Sequence, residues 1–193
     1  MTDAPVTEQK AQTRKAAFAQ RKAARAVADS AKAVANLVDY VLAQDNVRVV
    51  SAYMAIQTEV DPMPAMHRFH AAGLTVALPV IQGKAQPLLF REWTPNAAMI
   101  EGDFGALIPR AGDMVVPDMC ITPLVAFDGY GTRMGYGGGF YDRTFAALRA
   151  KAPVLAVGFA FAGQEVDRLP VEPTDHPLDA IVTEQGVRQF TGG

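Results

Sequence analysis

The feature that most constrains this chain is a glycine-rich stretch from Asp128 to Arg143. The apolar run before it, Met119 to Phe127, is typical of a strand, and the run from Phe140 to Arg149 is typical of a helix. Its central glycines are residues 131, 135, 137, 138 and 139. Glycines between a strand and a helix let backbone N–H groups surround an anion, because no side chain blocks the approach, and the helix N-terminus adds partial positive charge. The stretch therefore predicts an anion-binding loop.

The other residues of this loop indicate which anion it binds. Arg133 supplies a cation, and Asp142 supplies a carboxylate able to hold Mg²⁺. A phosphate cradle, a cation and a metal ligand in one loop suggest a nucleoside triphosphate. The pattern G-x-x-x-x-G-K-[ST] is missing, and the dinucleotide pattern fails because Phe140 stands where its third glycine belongs. Tyr136, Phe140 and Tyr141 argue against a merely flexible turn and favour a wall for a flat ligand.

Composition excludes several classes of protein. The chain has 193 residues, half of them hydrophobic, which suits one domain with a sizeable core. A formal net charge of -2 gives no global electrostatic case for binding nucleic acid or an anionic membrane. No apolar run approaches the length of a membrane-spanning helix, and the first residues lack a signal-peptide core. One cysteine, Cys120, in an apolar strand, is expected to be a buried inert thiol in a reducing cytoplasm. It forms no zinc pattern with the three histidines.

The order of predicted elements indicates the fold class. A strand over 47–53, a helix from Asp61-Pro62 to Ala72 and a strand over 74–79 make a β-α-β unit, which implies a parallel sheet. The chain is therefore predicted to form a single α/β domain over residues 1–193, with three layers and a mostly parallel sheet flanked by helices. The remaining segments are predicted as a loose terminus over 1–7, a helix over 8–28, a second helix capped by Asp29 or Ser30, strands over 87–93, 119–127, 154–159 and 180–182, a long connection over 96–117 and a loop or lid over 163–177.

The first predicted helix carries a basic face. Residues with helical spacing on that face are Lys10, Arg14, Phe18, Arg21 and Arg25. One interpretation is a solvated basic face, and the other is a charged arm laid over an anionic ligand. The residues alone leave both open.

The glycine-rich loop resembles a known family. The run Arg-Met-Gly-Tyr-Gly-Gly-Gly-Phe-Tyr-Asp-Arg, with the apolar-Pro and Ala-Phe-Asp that precede it, is similar to the signature of 5-formyltetrahydrofolate cyclo-ligases, also called methenyltetrahydrofolate synthetases. The resemblance extends from Lys10 to Val182 and is strongest from Pro123 to Arg143. It departs at Gly138, where some members carry a basic residue, although Gly-Gly-Gly also occurs.

The resemblance implies how the basic helix acts. Members open with a helix bearing Lys-x-x-x-Arg, whose cations contact the ATP phosphates, and Lys10 and Arg14 match it. A register starting at Lys15 places Ala19 at the arginine position, so the first register is preferred. Lys10, Arg14 and Arg133 are then the catalytic cations, which neutralise charge on the transferred phosphoryl group. The implied ATP-binding residues are these three and Met134, Gly135, Tyr136, Gly137, Gly138, Gly139, Phe140 and Tyr141.

The resemblance also implies a folate subsite. By itself Glu59 in the loop after a strand would be a surface charge or a cap, but family members bind the folate with a glutamate here, and Met54 matches an apolar residue of the same pocket. Phe104 matches an aromatic that stacks on the pterin, with core packing as the alternative, and Trp93 is a second candidate. The implied substrate-binding residues are Met54, Glu59, Phe104, Tyr136, Gly137, Gly138, Gly139 and Phe140.

The implied cofactor is Mg²⁺, held by Asp142 and by an aspartate shortly before the final strand. Asp175 matches that position, and Asp179 remains an alternative. The implied reaction is the ATP-dependent conversion of 5-formyltetrahydrofolate to 5,10-methenyltetrahydrofolate, with ADP and phosphate as products and an N5-iminium phosphate as intermediate. The expected partners are these two substrates, and the expected state is a cytoplasmic monomer. Two other hypotheses stay open: an ATP-binding paralogue with a different substrate, and a nucleic-acid-binding protein that uses the basic helix.

Overall fold

The computed structural model describes residues 6–190. Its α-helices are α1 (Val6–Val27), α2 (Ser30–Leu42), α3 (Met63–Ala71) and α4 (Phe140–Arg149). Residues 1–5 of the predicted loose terminus lie outside the described residues, and α1 begins at Val6, two residues before the predicted start. Asp29 caps α2, accepting a hydrogen bond from the Lys32 amide, so of the two predicted caps Asp29 is confirmed.

An eight-stranded sheet forms the centre of the fold, in the order β13-β12-β10-β7-β1-β2-β3-β6. The five strands from β12 to β2 run parallel, and β13, β3 and β6 are antiparallel to their neighbours. The strands are β1 (Val49–Ser51), β2 (Thr75–Val80), β3 (Leu89–Trp93), β4 (Met99–Glu101), β5 (Leu107–Pro109), β6 (Met114–Val115), β7 (Met119–Thr122), β8 (Ala126–Asp128), β9 (Arg133–Met134), β10 (Leu155–Phe159), β11 (Glu165–Val166), β12 (Ala180–Thr183) and β13 (Gly186–Gln189).

Helices cover both faces of the central sheet. Ile121 of β7 packs with α2 and α3 on one face, whereas its neighbour Cys120 packs with Phe145 of α4 on the other. This alternation is the period-two pattern of a strand buried on both sides. The three-layer α/β prediction is therefore confirmed, and Cys120 is buried as expected.

Helix α1 lies outside these layers, against a small sheet ordered β11-β8-β9. Ala17 of α1 is buried in a cluster with Val125, Ala126 and Met134. Asp128, fully buried, accepts hydrogen bonds from the Tyr130, Thr132 and Leu169 amides. It thereby joins the base of the glycine-rich loop to the segment after β11.

Three predicted strands differ from the structure. The run 119–127 is two strands in different sheets, because Pro123 has no N–H for the central sheet and the Val125 amide donates instead to the Met134 carbonyl. β1 is shorter than predicted at both ends, and at its start the Arg48 and Val49 amides donate to the Asp118 carboxylate. The strand β12 is not the last, because the chain turns at Gly186, whose φ is 128°, and returns as β13.

A search of the described residues found no helix that is both long enough and apolar enough to span a membrane.

Candidate active site

A cavity of about 1260 Å³ opens where the chain leaves the carboxyl ends of β1, β2 and β7. Apart from the alternatives Trp93 and Asp179, every predicted site residue lines it: Lys10, Arg14, Met54, Glu59, Phe104, Arg133, Met134, Gly135, Tyr136, Gly137, Gly138, Gly139, Phe140, Tyr141, Asp142 and Asp175. The crevice at the carboxyl ends of parallel strands is where open α/β sheets bind ligands. A second cavity of about 520 Å³, beside Glu92 and Arg110, contains none of these residues.

The glycine-rich loop is shaped to receive helix α1. The Arg14 Nε donates to the Gly135 carbonyl at 2.9 Å. Gly137 has a φ of 97°, and a Cβ built on it would lie 3.2 Å from the Arg14 Cζ. A side chain at this position would therefore be strained by the backbone and crowded by Arg14. The charged-arm interpretation of the helix is favoured over a solvated face, since the face meets the loop.

Gly138 and Phe140 are in close approach at the end of this loop. A Cβ on Gly138 would lie 2.8 Å from the Phe140 ring. The Arg143 guanidinium donates to the Gly138 carbonyl at 2.5 Å and sits over the Phe140 ring, 5.4 Å from its centroid. Arg143 was not among the predicted site residues, although it lines the cavity and adds a cation beside Gly138.

Lys10 connects α1 to the segment before β12. Its Nζ lies 2.5 Å from Asp175 Oδ2 and 2.8 Å from Glu172 Oε2. Burial lowers the pKa of Lys10, but the hydrogen bonds and charges of Asp175 and Glu172 outweigh it, so the pKa is raised and the ammonium stays charged. Glu172 was not among the predicted site residues.

Arg133 holds Asp142 in the same cavity. Its NH2 donates to Asp142 Oδ1 at 2.8 Å, and the His176 amide donates to the same oxygen at 3.1 Å. The Arg133 NH1 also donates to the His176 carbonyl. Asp142, in the first turn of α4, is thereby placed beside the segment that carries Asp175.

The carboxylates of the cavity fit Mg²⁺, which needs few protein ligands, better than a metal ion coordinated by protein side chains alone. Among residues 6–190, no group of three or more His, Cys, Asp or Glu side chains could hold a metal ion. Mg²⁺ is usually bound by one or two carboxylates together with waters and substrate phosphates. The hydrogen bonds described above fall on Oδ1 of Asp142 and on Oδ2 of Asp175. Asp142 and Asp175 are the carboxylates that would hold such an ion here, and it would supply charge neutralisation.

Asp179, the alternative metal ligand, has a structural environment. Its Oδ2 accepts hydrogen bonds from Arg149 at 2.7 Å and from the Ala156 amide at 2.6 Å. It joins α4 to β10 and does not line the cavity. Geometry therefore favours Asp175 over Asp179.

Glu59 is a buried carboxylate that lines the same cavity. It is only 6% exposed, and its Oε2 accepts the Ile56 amide at 2.8 Å. Burial raises the pKa of Glu59, and the Ile56 amide, the Arg21 charge and the Tyr136 hydroxyl counteract it only in part. Burial likewise raises the pKa of Tyr136 to about 12, so its hydroxyl is protonated and available as a donor.

Arg21 is a residue whose importance the sequence did not reveal. Its helical spacing placed it on the face of Lys10 and Arg14, but it is fully buried behind the cavity wall. Its NH2 donates to the Tyr136 hydroxyl at 2.7 Å, and its NH1 lies 3.7 Å from Glu59 Oε1. The signal that could have found it is its helical alignment with Lys10 and Arg14.

The aromatic candidates divide clearly. Phe104 is 75% exposed, so the core-packing alternative is wrong; it stands at the cavity rim, with its ring centroid 6.3 Å from that of Phe140. Its φ of 57° is uncommon for a residue with a side chain. Trp93 is buried against His67 and does not line the cavity, so it is not available to stack on a ligand there.

Comparisons with known proteins agree on one family. A family model described as the 5-formyltetrahydrofolate cyclo-ligase family matches residues 6–184. The chain is 38% identical over 147 residues to a 5-formyltetrahydrofolate cyclo-ligase of Escherichia coli K12, covering 73% of this chain and 80% of that one. It is 33% identical over 148 residues to the Haemophilus influenzae protein of the same name, covering 74% and 79%. The NMR structure of an Aquifex aeolicus 5,10-methenyltetrahydrofolate synthetase superposes with a TM-score of 0.75 at 27% identity, covering 95% of this chain and 94% of that one.

Proposed function

We propose that this chain, which belongs to the 5-formyltetrahydrofolate cyclo-ligase family, converts 5-formyltetrahydrofolate to 5,10-methenyltetrahydrofolate with the consumption of ATP in the presence of Mg²⁺. The observation that carries the proposal is that one cavity is lined by the glycine-rich loop, by four cations and by the buried carboxylate of Glu59. A cavity of about 1260 Å³ is large enough for two substrates together.

The chemistry explains why such a reaction needs ATP. The formyl group on N5 is an amide, whose carbonyl carbon is a poor electrophile because the nitrogen lone pair is delocalised. Transfer of the γ-phosphoryl group to the formyl oxygen releases ADP and gives an N5-iminium phosphate. N10 then attacks the formyl carbon, the C–O bond breaks, and phosphate leaves with that oxygen. N10 loses its proton, and the methenyl bridge joins N5 and N10.

Phosphoryl transfer of this kind depends on positioning and on charge stabilisation. We assign the triphosphate to the glycine-rich loop, where the amides at the start of α4 and the cations of Lys10, Arg14 and Arg133 surround it. Arg14, fixed on the Gly135 carbonyl, is already aimed at the loop. Arg133 lies at the start of the loop, where it can neutralise charge that develops on the transferred group.

Asp142 and Asp175 would hold the Mg²⁺ that accompanies ATP, and the metal would supply neutralisation of the phosphate oxygens. Both aspartates are paired with cations of the same cavity, Asp142 with Arg133 and Asp175 with Lys10. Without ligand, each aspartate is thus paired with a cation. When ATP and Mg²⁺ bind, they replace these partners, so that no charge is left buried and unpaired.

We assign the pterin to the end formed by Glu59, Tyr136 and Phe140. A carboxylate accepts hydrogen bonds from the N–H groups of a pterin, and charge-assisted hydrogen bonds are roughly twice as strong as neutral ones. Phe140 and the exposed Phe104 approach each other at the rim, where their rings can bound a flat heterocycle. Met54 adds an apolar contact in the same cavity.

The test is a spectrophotometric assay of the purified protein with 5-formyltetrahydrofolate, ATP and Mg²⁺, following the absorbance of the methenyl product. We expect product only when all three are present. ATP binding without product would refute this substrate and favour a paralogue that acts on a different one. The unusual φ of Phe104, a predicted folate contact, would then be a feature to examine.

A further inference from the structure

The guanidinium of Arg21 is a fully buried positive charge behind the wall of the cavity. Arg21 is 0% exposed, and its Nε donates to Thr58 Oγ1 at 2.9 Å. Its NH1 donates to the Leu124 carbonyl at 3.3 Å and its NH2 to the Tyr136 hydroxyl at 2.7 Å. The rings of Phe18 and Tyr136 each lie 5.3 Å from its Cζ. One side chain of α1 therefore holds three separate segments of the chain.

A buried cation is costly unless its donors are all used and a carboxylate is near. Buried ion pairs can often be replaced as a whole by apolar residues without loss of stability, so stability alone does not explain why this charge is buried here. What distinguishes the partners of Arg21 is that they adjoin the folate end of the cavity: Thr58 precedes Glu59, Leu124 follows the cavity-lining Pro123, and Tyr136 itself lines the cavity. The charge therefore lies where it acts on groups that face the ligand.

Resting on the proposed function, we propose that Arg21 is a positioning residue for the folate subsite: it keeps the Glu59 carboxylate ionised and fixes the Tyr136 hydroxyl, without itself touching a substrate. The Tyr136 oxygen accepts a hydrogen bond from Arg21, so its own proton is directed away from the guanidinium. The same guanidinium approaches Glu59, with its NH1 3.7 Å from Glu59 Oε1. Arg21 therefore acts on both groups and leaves the Glu59 carboxylate as an acceptor for the ligand.

The groups that face Glu59 are few. Arg21 approaches from α1, Tyr136 from the glycine-rich loop, Tyr53 from the segment after β1 and Tyr141 from α4, while the Ile56 amide binds the carboxylate directly. Burial raises the pKa values of Tyr53 and Tyr141, so both are neutral around pH 7. Arg21 is the cation of this set, and without it we expect Glu59 to ionise only at higher pH.

The decisive experiment titrates the Glu59 side-chain carboxyl by ¹³C NMR, without substrate, between about pH 5 and pH 9. It compares the unmodified protein with Arg21→Gln, Arg21→Lys and the control Lys22→Gln, which removes an exposed charge from the next position of α1. We expect the Glu59 midpoint to rise by about one pH unit or more in Arg21→Gln, to change less in Arg21→Lys and to stay fixed in Lys22→Gln.

Binding of 5-formyltetrahydrofolate and of ATP to the same variants completes the test. We expect Arg21→Gln to lose roughly tenfold in folate affinity near pH 6.5, to recover it as the pH rises through the new midpoint, and to keep its ATP affinity. An unchanged Glu59 midpoint in a folded Arg21→Gln, shown by its thermal transition, would overturn the proposal, as would equal losses for both ligands. Failure of the unmodified protein to bind folate would refute the proposed function instead, because the NMR titration needs no ligand.

Discussion

The ammonium of Lys10 and the carboxylate of Asp175 lie 2.5 Å apart, although 165 residues separate them in the chain. The first is a proposed phosphate ligand and the second a proposed metal ligand. In the proposed complex, ATP binding to Lys10 and Mg²⁺ binding to Asp175 each break this same ion pair. Each should therefore bind more tightly in the presence of the other, as linkage between two ligands requires.

Replacing Lys10 by methionine should weaken ATP binding and slow turnover, because the charge of the ammonium is lost from the phosphate site. We expect kcat/KM for ATP to fall roughly 100-fold, as for other preorganised groups that stabilise a transition state. The matched control is Lys15→Met, since Lys15 is exposed and begins the alternative register. Steady-state kinetics of the two variants decide the register, and a larger loss in Lys15→Met would contradict the assignment of Lys10.

The substitutions Asp142→Asn and Asp175→Asn should abolish ATP-dependent turnover at ordinary Mg²⁺ concentrations while leaving the fold intact, because an amide is a poorer metal ligand than a carboxylate. Raising the Mg²⁺ concentration should restore part of the activity. Asp179→Asn makes the informative contrast. It removes the ion pair with Arg149, so we expect a lower thermal transition and nearly normal kinetics. Turnover close to that of the unmodified protein in Asp142→Asn would remove this residue from the metal site.

Folate binding should depend on pH through Glu59. Burial raises the pKa of this carboxyl, so the ionised form that accepts hydrogen bonds is present above the raised pKa and is lost as the pH falls through it. We therefore expect the KM for 5-formyltetrahydrofolate to increase on acidification, starting at a higher pH than for an ordinary glutamate. Glu59→Gln should show a high KM at every pH, with the KM for ATP little affected. A KM profile that Glu59→Gln leaves intact would show that another group titrates.

Adding a methyl group at Gly138 should displace Phe140. The new Cβ would lie 2.8 Å from the ring, so the ring must rotate away from its place in the cavity wall. We expect Gly138→Ala to raise the KM for folate roughly tenfold, the cost of about one good apolar contact. The comparison variant is Gly135→Ala, whose Cβ would meet nothing within 4 Å and whose effect should be smaller. Kinetics of the two variants at saturating ATP provide the test.

The sequence was informative where the chain acts locally. The cap at Asp29, the glycine-rich loop and the β-α-β unit depend on neighbouring residues, and the structure contains all three. Local patterns did not show which distant residues lie together in the fold. That Lys10 faces Asp175 follows from the docking of α1, and the resemblance to a family supplied the expectation that both belong to one site.

Other features could not have been predicted from the residues in order. Helical spacing put Arg21 on the face of Lys10, but whether a position on that face is exposed or buried depends on how far the facing loops extend along the helix. The residues on both sides of Pro123 form one long apolar run in the sequence. They belong to strands of two different sheets, but both strands are buried and both are therefore apolar. Phe104 is an aromatic residue of the kind usually found in a core, yet it is exposed. Its positive φ is a backbone conformation that sequence patterns do not reveal.

The contact between Lys10 and Asp175 also bears on how the chain folds. A site closed by residues so far apart forms only after the intervening sheet has assembled, because distant contacts carry the entropy of closing a long loop. A nascent or partly refolded chain can have its central strands in place and still lack a complete ligand cavity. Recovery of enzymatic activity during refolding would therefore report the docking of helix α1, the event that joins the two ends of the chain.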